Sequence, residues 1–181
     1  MLEIEISSGE FWDEDLQEFV YAEPCKLTLE HSLISLSKWE SKWNKPFLSA
    51  DEKTLEETRD YVRCMTINKN VSPTVYAGLT SADYKKIDAY ISAPMTATTF
   101  SQHGPQKRGR AEIMTAEVIY YYMIALGIPF ECEKWHLTRL LTLIRVCNIK
   151  NAPSKKMGKG AAAKQQRALN AQRRARSGSR G

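Results

Sequence analysis

Between Val118 and Cys147 the chain reads "VIYYYMIALGIPFECEKWHLTRLLTLIRVC", two strongly apolar runs separated by Gly127 and Pro129. Glycine readily takes the left-handed cap of a helix, and proline cannot continue one, so the pair marks a stop between two helices. The first run is shorter than the roughly twenty apolar residues that a membrane span needs, which makes it a buried helix over about residues 111–126. The second predicts a helix over about residues 133–148. Its Leu137, Leu140, Leu141, Ile144 and Cys147 form one apolar stripe, with Arg139 and Arg145 off it.

Earlier segments follow two other periods. "LEIEI" (2–6) and "CKLTLEH" (25–31) alternate apolar and polar residues, as short half-buried strands do. "FWDEDLQEFVY" between them suits either strand or helix. From Ser32 the spacing becomes helical, through Leu33, Leu36, Trp39 or Glu40, and Trp43, until Pro46 stops it. "SADEKTLEETRDYVRCM" predicts a helix capped by Ser49 or Asp51, with Leu55, Tyr61 or Val62, and Met65 on its apolar side. "TSADYKKIDAYI" predicts another, with Tyr84, Ile87 and Ile91 on one face. "SAPMTATTFSQHGPQKRGR" (92–110), rich in proline, glycine and small polar residues, reads as a mobile loop. The expected fold is therefore mainly α: a compact, bundle-like helical domain over residues 1–150, with a small β element near its start.

Charge is divided unevenly. From Lys150 onward there are ten Lys and Arg and no acidic residue, which leaves 16 basic and 21 acidic residues in 1–149. An acidic body carries a basic tail, 151–181, that has little to bury and is expected to be disordered, or helical only when bound. Lys155, Lys156, Lys164, Arg167, Arg173, Arg174 and Arg176 would contact a polyanion. The tail holds no aromatic residue on which bases could stack. The acidic start, "MLEIEISSGEFWDED", is unlike a secretory signal, so a cytosolic protein is expected.

Signs of catalysis are missing. Cys25, Cys64, Cys132 and Cys147 are scattered without a Cys-x-x-Cys pair, and His31, His103 and His136 are equally dispersed, so free thiols and no metal site are expected. "EKWH" (133–136) lacks the second histidine of a zinc helix, and Gly158-Lys159 lacks the rest of a phosphate loop. The carboxylates of Asp13, Glu14 and Asp15 point in different directions and read as a solvated turn. No enzyme and no cofactor are expected. Trp39 and Trp43, four residues apart, share a helix face. Burial of an indole removes about 150–250 Å² from water, so core packing of at least one is favoured, with a partner groove as the alternative.

Three stretches carry a resemblance: "SLISLSKWESKWNKPFLS" (32–49), "APMTATTF" (93–100) and "IMTAEVIYYYMIALGIPFECEKWHLTRLLTLIRVCNIKN" (113–151). They resemble proteins of long-tailed bacteriophages of the tail assembly chaperone class, over most of residues 28–175. That resemblance implies a non-enzymatic protein of the host cytoplasm, absent from the finished virion. Its partners would be the tape measure protein and the major tail protein, with self-association besides. Trp39, Trp43, Met95, Phe100, Arg139 and Arg145 would then serve partner binding, the segment around Met95 to Phe100 acting as a lip. The other expectations are a nucleic-acid-binding accessory protein working through the basic tail, and a structural head–tail component retained in the particle.

Overall fold

The computed structural model describes residues 1–13, 17–100, 113–152 and 159–177. Strand β1 (Leu2–Ile6) pairs antiparallel with β4 (Cys25–Leu29), Ile4 lying opposite Leu27. The two-residue period sends Ile4, Ile6, Leu27 and Leu29 to one buried face and leaves Glu3 and Glu5 exposed. Between them β2 (Gly9–Asp13) and β3 (Glu18–Ala22) form a second antiparallel pair. A 3₁₀ segment, Pro73–Gly78, packs on this pair. Gly78 allows the approach, since a Cβ there would sit 2.7 Å from Ile6 Cγ2 and 3.1 Å from the Phe11 ring.

Helices α1 (Leu33–Trp43), α2 (Leu55–Met65) and α3 (Ser81–Ile91) each begin with a capping box. Ser32, Thr54 and Thr80 accept the amide three residues on, and the side chain there returns the bond, so two backbone donors are satisfied at each start. Helix α4 (Ala116–Ala125) is capped by Thr115. After a 3₁₀ turn, Phe130–Lys134, α5 runs from Leu137–Asn151. Helix α6 (Lys159–Ser177) belongs to a second unit, Ile149–Gly181, distinct from Met1–Asn148. Among the described residues, no helix is long and apolar enough to cross a membrane.

Two apolar cores meet at α1. Trp39 joins Ile4, Leu27, Leu29, Tyr61 and Met65 in one, while Leu33 and Leu36 join Ile119, Met123, Leu137 and Leu140 in the other. The carboxylate of Glu40 spans the junction: Oε1 accepts the Phe47 amide at 2.8 Å and Oε2 the Ala116 amide at 2.7 Å. It thereby ties α1 to the following loop and to the first turn of α4, where a negative charge also suits the helix dipole. His31, two residues before α1, is also buried, its Nδ1 2.7 Å from the Tyr61 hydroxyl and its ring 5.0 Å from that of His136. The His136 Nε2 in turn meets the Tyr90 carbonyl at 3.0 Å.

The expected bundle-like, mainly α domain is overturned. The chain is helical, but two small two-stranded antiparallel sheets precede the helices, and the β1–β4 face is one wall of a core. Helices that must lie on that wall cannot also align side by side around a single helical core. Of "FWDEDLQEFVY", residues 11–13 fall in β2 and 18–21 in β3, with Val20 buried while Trp12, Phe19 and Tyr21 are exposed. In the tail, residues 159–177 are helical, as the run of alanine, glutamine and arginine favours. The α2 cap is Thr54 and neither Ser49 nor Asp51: the Thr54 hydroxyl accepts the Glu57 amide at 3.1 Å, and the Glu57 carboxylate accepts the Thr54 amide at 2.8 Å. Ala111, at the expected start of α4, and Glu14, Asp15 and His103 lie outside the described residues.

Two outcomes follow from these contacts. Glu40→Ala is expected to lower unfolding stability by about 2–4 kcal/mol in urea denaturation, because two buried amides lose a charged acceptor. The second concerns acid. Burial first, and repulsion from His136 second, push His31 from its ordinary 6.5 down to about 4. Between those values the unfolded chain binds a proton that the folded chain refuses, so stability falls as pH drops through this window. A loss of about 2–3 kcal/mol between pH 6.5 and 4.5 is expected, and a flatter profile for His31→Gln.

Candidate partner-binding surface

Both tryptophans serve α1 and α2. Trp39 is 1% exposed, and its indole N–H donates to the Glu57 carbonyl at 2.8 Å. Trp43 stacks on it at 6.1 Å and is half-buried, its N–H donating to Asp60 Oδ2 at 2.9 Å. Phe47 and Tyr61 close the far side of Trp39 edge-on. Trp39 is thus a core residue, as favoured for at least one of the pair, and it also lies among the residues around a hollow of about 330 Å³. Trp43 offers only the outer part of its ring, below the Lys42 ammonium.

The other four predicted residues fall in two pairs: Met95 and Arg139 line one groove, while Phe100 and Arg145 meet each other outside its lining. A groove of about 430 Å³ runs between segment 95–98 and the outer side of α5, lined by Met95, Thr96, Ala97, Thr98, Trp135, Arg139, Thr142, Leu143 and Val146. Met95 is 45% exposed, and its backbone has φ +46°, which costs a non-glycine residue on the order of 1 kcal/mol. The Arg139 guanidinium lies 4.2 Å over the Trp135 ring, and that of Arg145 lies 4.0 Å over Phe100. Stacking of this kind orders a long cationic side chain while leaving its edge free to bond outward. Arg139 and Arg145 are both exposed, and the groove mixes apolar side chains and threonine hydroxyls with the cation of Arg139.

Further apolar surface lies elsewhere. The outer face of β2–β3 displays Trp12, Phe19 and Tyr21, the first two in edge-to-face contact at 5.2 Å. Tyr121 and Ile124 are exposed on α4, and Phe130 just beyond it. A hollow of about 520 Å³ beside β4 is walled largely by polar groups, including Asn68, Lys69, Asn70 and Ser72, and another of about 330 Å³ lies by Lys45 and Glu52. The four cysteines are free. Burial raises the Cys64 thiol to about 11, which leaves little thiolate near neutral pH. Among the described residues, no group of three or more His, Cys, Asp or Glu is placed to hold a metal ion. What the α5 groove offers chemically is contact and positive charge.

Trp135, Thr142, Leu143 and Val146 were missed in the sequence. Their spacing with Arg139, in steps of three and four, makes a second helical stripe beside the more apolar one of Leu137, Leu140 and Ile144. Lys164, Arg167, Arg173, Arg174 and Arg176 lie exposed on α6, whereas Lys155 and Lys156 fall outside the described residues.

The two indoles should separate energetically. Trp39→Ala is expected to cost about 3–5 kcal/mol in chemical denaturation, and Trp43→Ala clearly less, since only part of its ring leaves water. Compared with known protein families, curated proteins and solved structures, the chain matches none, so the role of this surface turns on its own geometry.

Proposed function

We propose that this protein is a non-catalytic binding protein whose α5 groove receives the apolar stripe of a partner helix. The carrying observation is the groove itself: Met95, Trp135, Leu143 and Val146 line it together with the exposed, ring-stacked Arg139. Its volume suits one or two large side chains, as in helix-in-groove recognition. Methionine adapts its shape to a variable partner, and Arg139 and Arg145 would meet the acidic residues that flank an amphipathic stripe.

Together with the resemblance of residues 32–49, 93–100 and 113–151 to tail assembly chaperones, this supports a particular role. The partner is the tape measure protein of a long-tailed phage, a long helical chain whose apolar stripes need cover until tail subunits, the major tail protein above all, surround it. The protein acts in the host cytoplasm and leaves before the particle is complete.

Co-expression tests this. The tape measure protein should be several-fold more soluble with the wild-type chain than without it, and Val146→Glu, which puts a charge into an apolar wall, should remove that gain while circular dichroism stays unchanged. Equal solubility with and without the chain overturns the reading. Mass spectrometry of purified virions should lack the protein; its presence at structural copy number would favour a head–tail component.

A further inference from the structure

Helix α6 carries a charge pattern that the α5 groove does not explain. Over Lys159–Ser177 it has no acidic residue, and Lys164, Arg167, Arg173, Arg174 and Arg176 all stand exposed. No aromatic side chain accompanies them. Nineteen residues at 1.5 Å each make a rod of about 28 Å, close to one turn of duplex DNA.

The arrangement around the helix is more telling than the net charge. Successive residues turn by about 100°, so Gln166 and Asn170 fall one turn apart on a single face. Their side chains are joined by a hydrogen bond of 3.4 Å from Gln166 Nε2 to Asn170 Oδ1. Arg173 borders that face on one side, and Arg167 and Arg174 border it on the other. Amides in the middle with guanidinium groups on both margins match a groove whose floor presents base edges and whose walls are phosphates. Glutamine and asparagine read adenine edges, and arginine bonds phosphate oxygens. Ala163, on the same face, adds no bulk that would hold the helix away. An α-helix of 10–12 Å diameter enters the major groove of B-form DNA, about 12 Å wide, but not the deep, narrow major groove of A-form RNA. The lack of aromatic side chains removes the stacking platform that single strands need.

We propose that α6 is a duplex-DNA-binding helix that lies in the major groove. This stands independently of the α5 groove and of any helical partner held there.

Fluorescence anisotropy of the full chain with a labelled 25-base-pair DNA duplex tests it. Binding should weaken with salt along a log–log slope of roughly −4 to −5, as about five neutralised phosphates require. Duplex RNA of the same sequence and the matching single strands should bind about tenfold or more weakly. The variant Arg167→Gln, Arg173→Gln, Arg174→Gln, Arg176→Gln leaves both cores of Met1–Asn148 untouched. It should make the slope shallower by roughly three to four and reduce affinity at least about tenfold at low salt. Equal affinity for duplex RNA or for poly-glutamate would overturn the proposal, as would a slope shallower than about −2. Undiminished binding by the four-glutamine variant would do the same.

Discussion

The structure depends on α1 serving two cores at once, and on the Glu40 carboxylate that holds the junction together. Leu33 and Leu36 leave the helix toward α4 and α5, while Trp39 leaves it toward α2 and the β1–β4 face. A helix buried on two sides has little room for charge, yet Glu40 is 7% exposed. A buried carboxylate is tolerated only where donors replace the water it has lost. The amides of Phe47 and Ala116 do so, and both belong to segments that enter or leave the cores. Satisfying one acid thereby sets the position of a loop and of a helix far apart in sequence.

That constraint reaches the candidate surface through α5. Leu137, Leu140 and Ile144 bury against α1 and α4, which fixes the rotation of α5 and turns the stripe from Trp135 to Val146 outward. The backbone of Leu137 is held by the His31 carbonyl at 2.8 Å, so the start of α5 is anchored to the link between β4 and α1. The same link carries the buried His31. Segment 95–98 completes the groove from the other side, with Met95 in a backbone conformation that packing has to sustain.

The two proposed activities use different physics. The groove on α5 is a place where apolar contact decides, with cations stacked on rings at its edge. Helix α6 has almost nothing to bury, and its binding would be set by charge, falling steeply with salt. An assembly factor that held a helix in one unit and DNA in the other would work by two contacts of different strength and different sensitivity to conditions.

Much of this was settled locally by residue order. Alternation in "LEIEI" and "CKLTL", the stop at Gly127 and Pro129, and the threonine–glutamate spacing of Thr54 and Glu57 each act within a few residues, where sterics and hydrogen bonding favour one backbone shape. The approach of Met95 to Arg139 and of Phe100 to Arg145 was not legible, because nothing nearby in sequence ties residues 95–100 to α5. Whether Trp39 faced a partner or a core was likewise open, since helical spacing gives a face but not what covers it. Tertiary packing decided that the β1–β4 pair would wall a core, and so replaced a bundle with helices laid on a small sheet. It also decided which side of α5 remained outside. Those outcomes rest on contacts between residues tens of positions apart, and local preference carries no information about them.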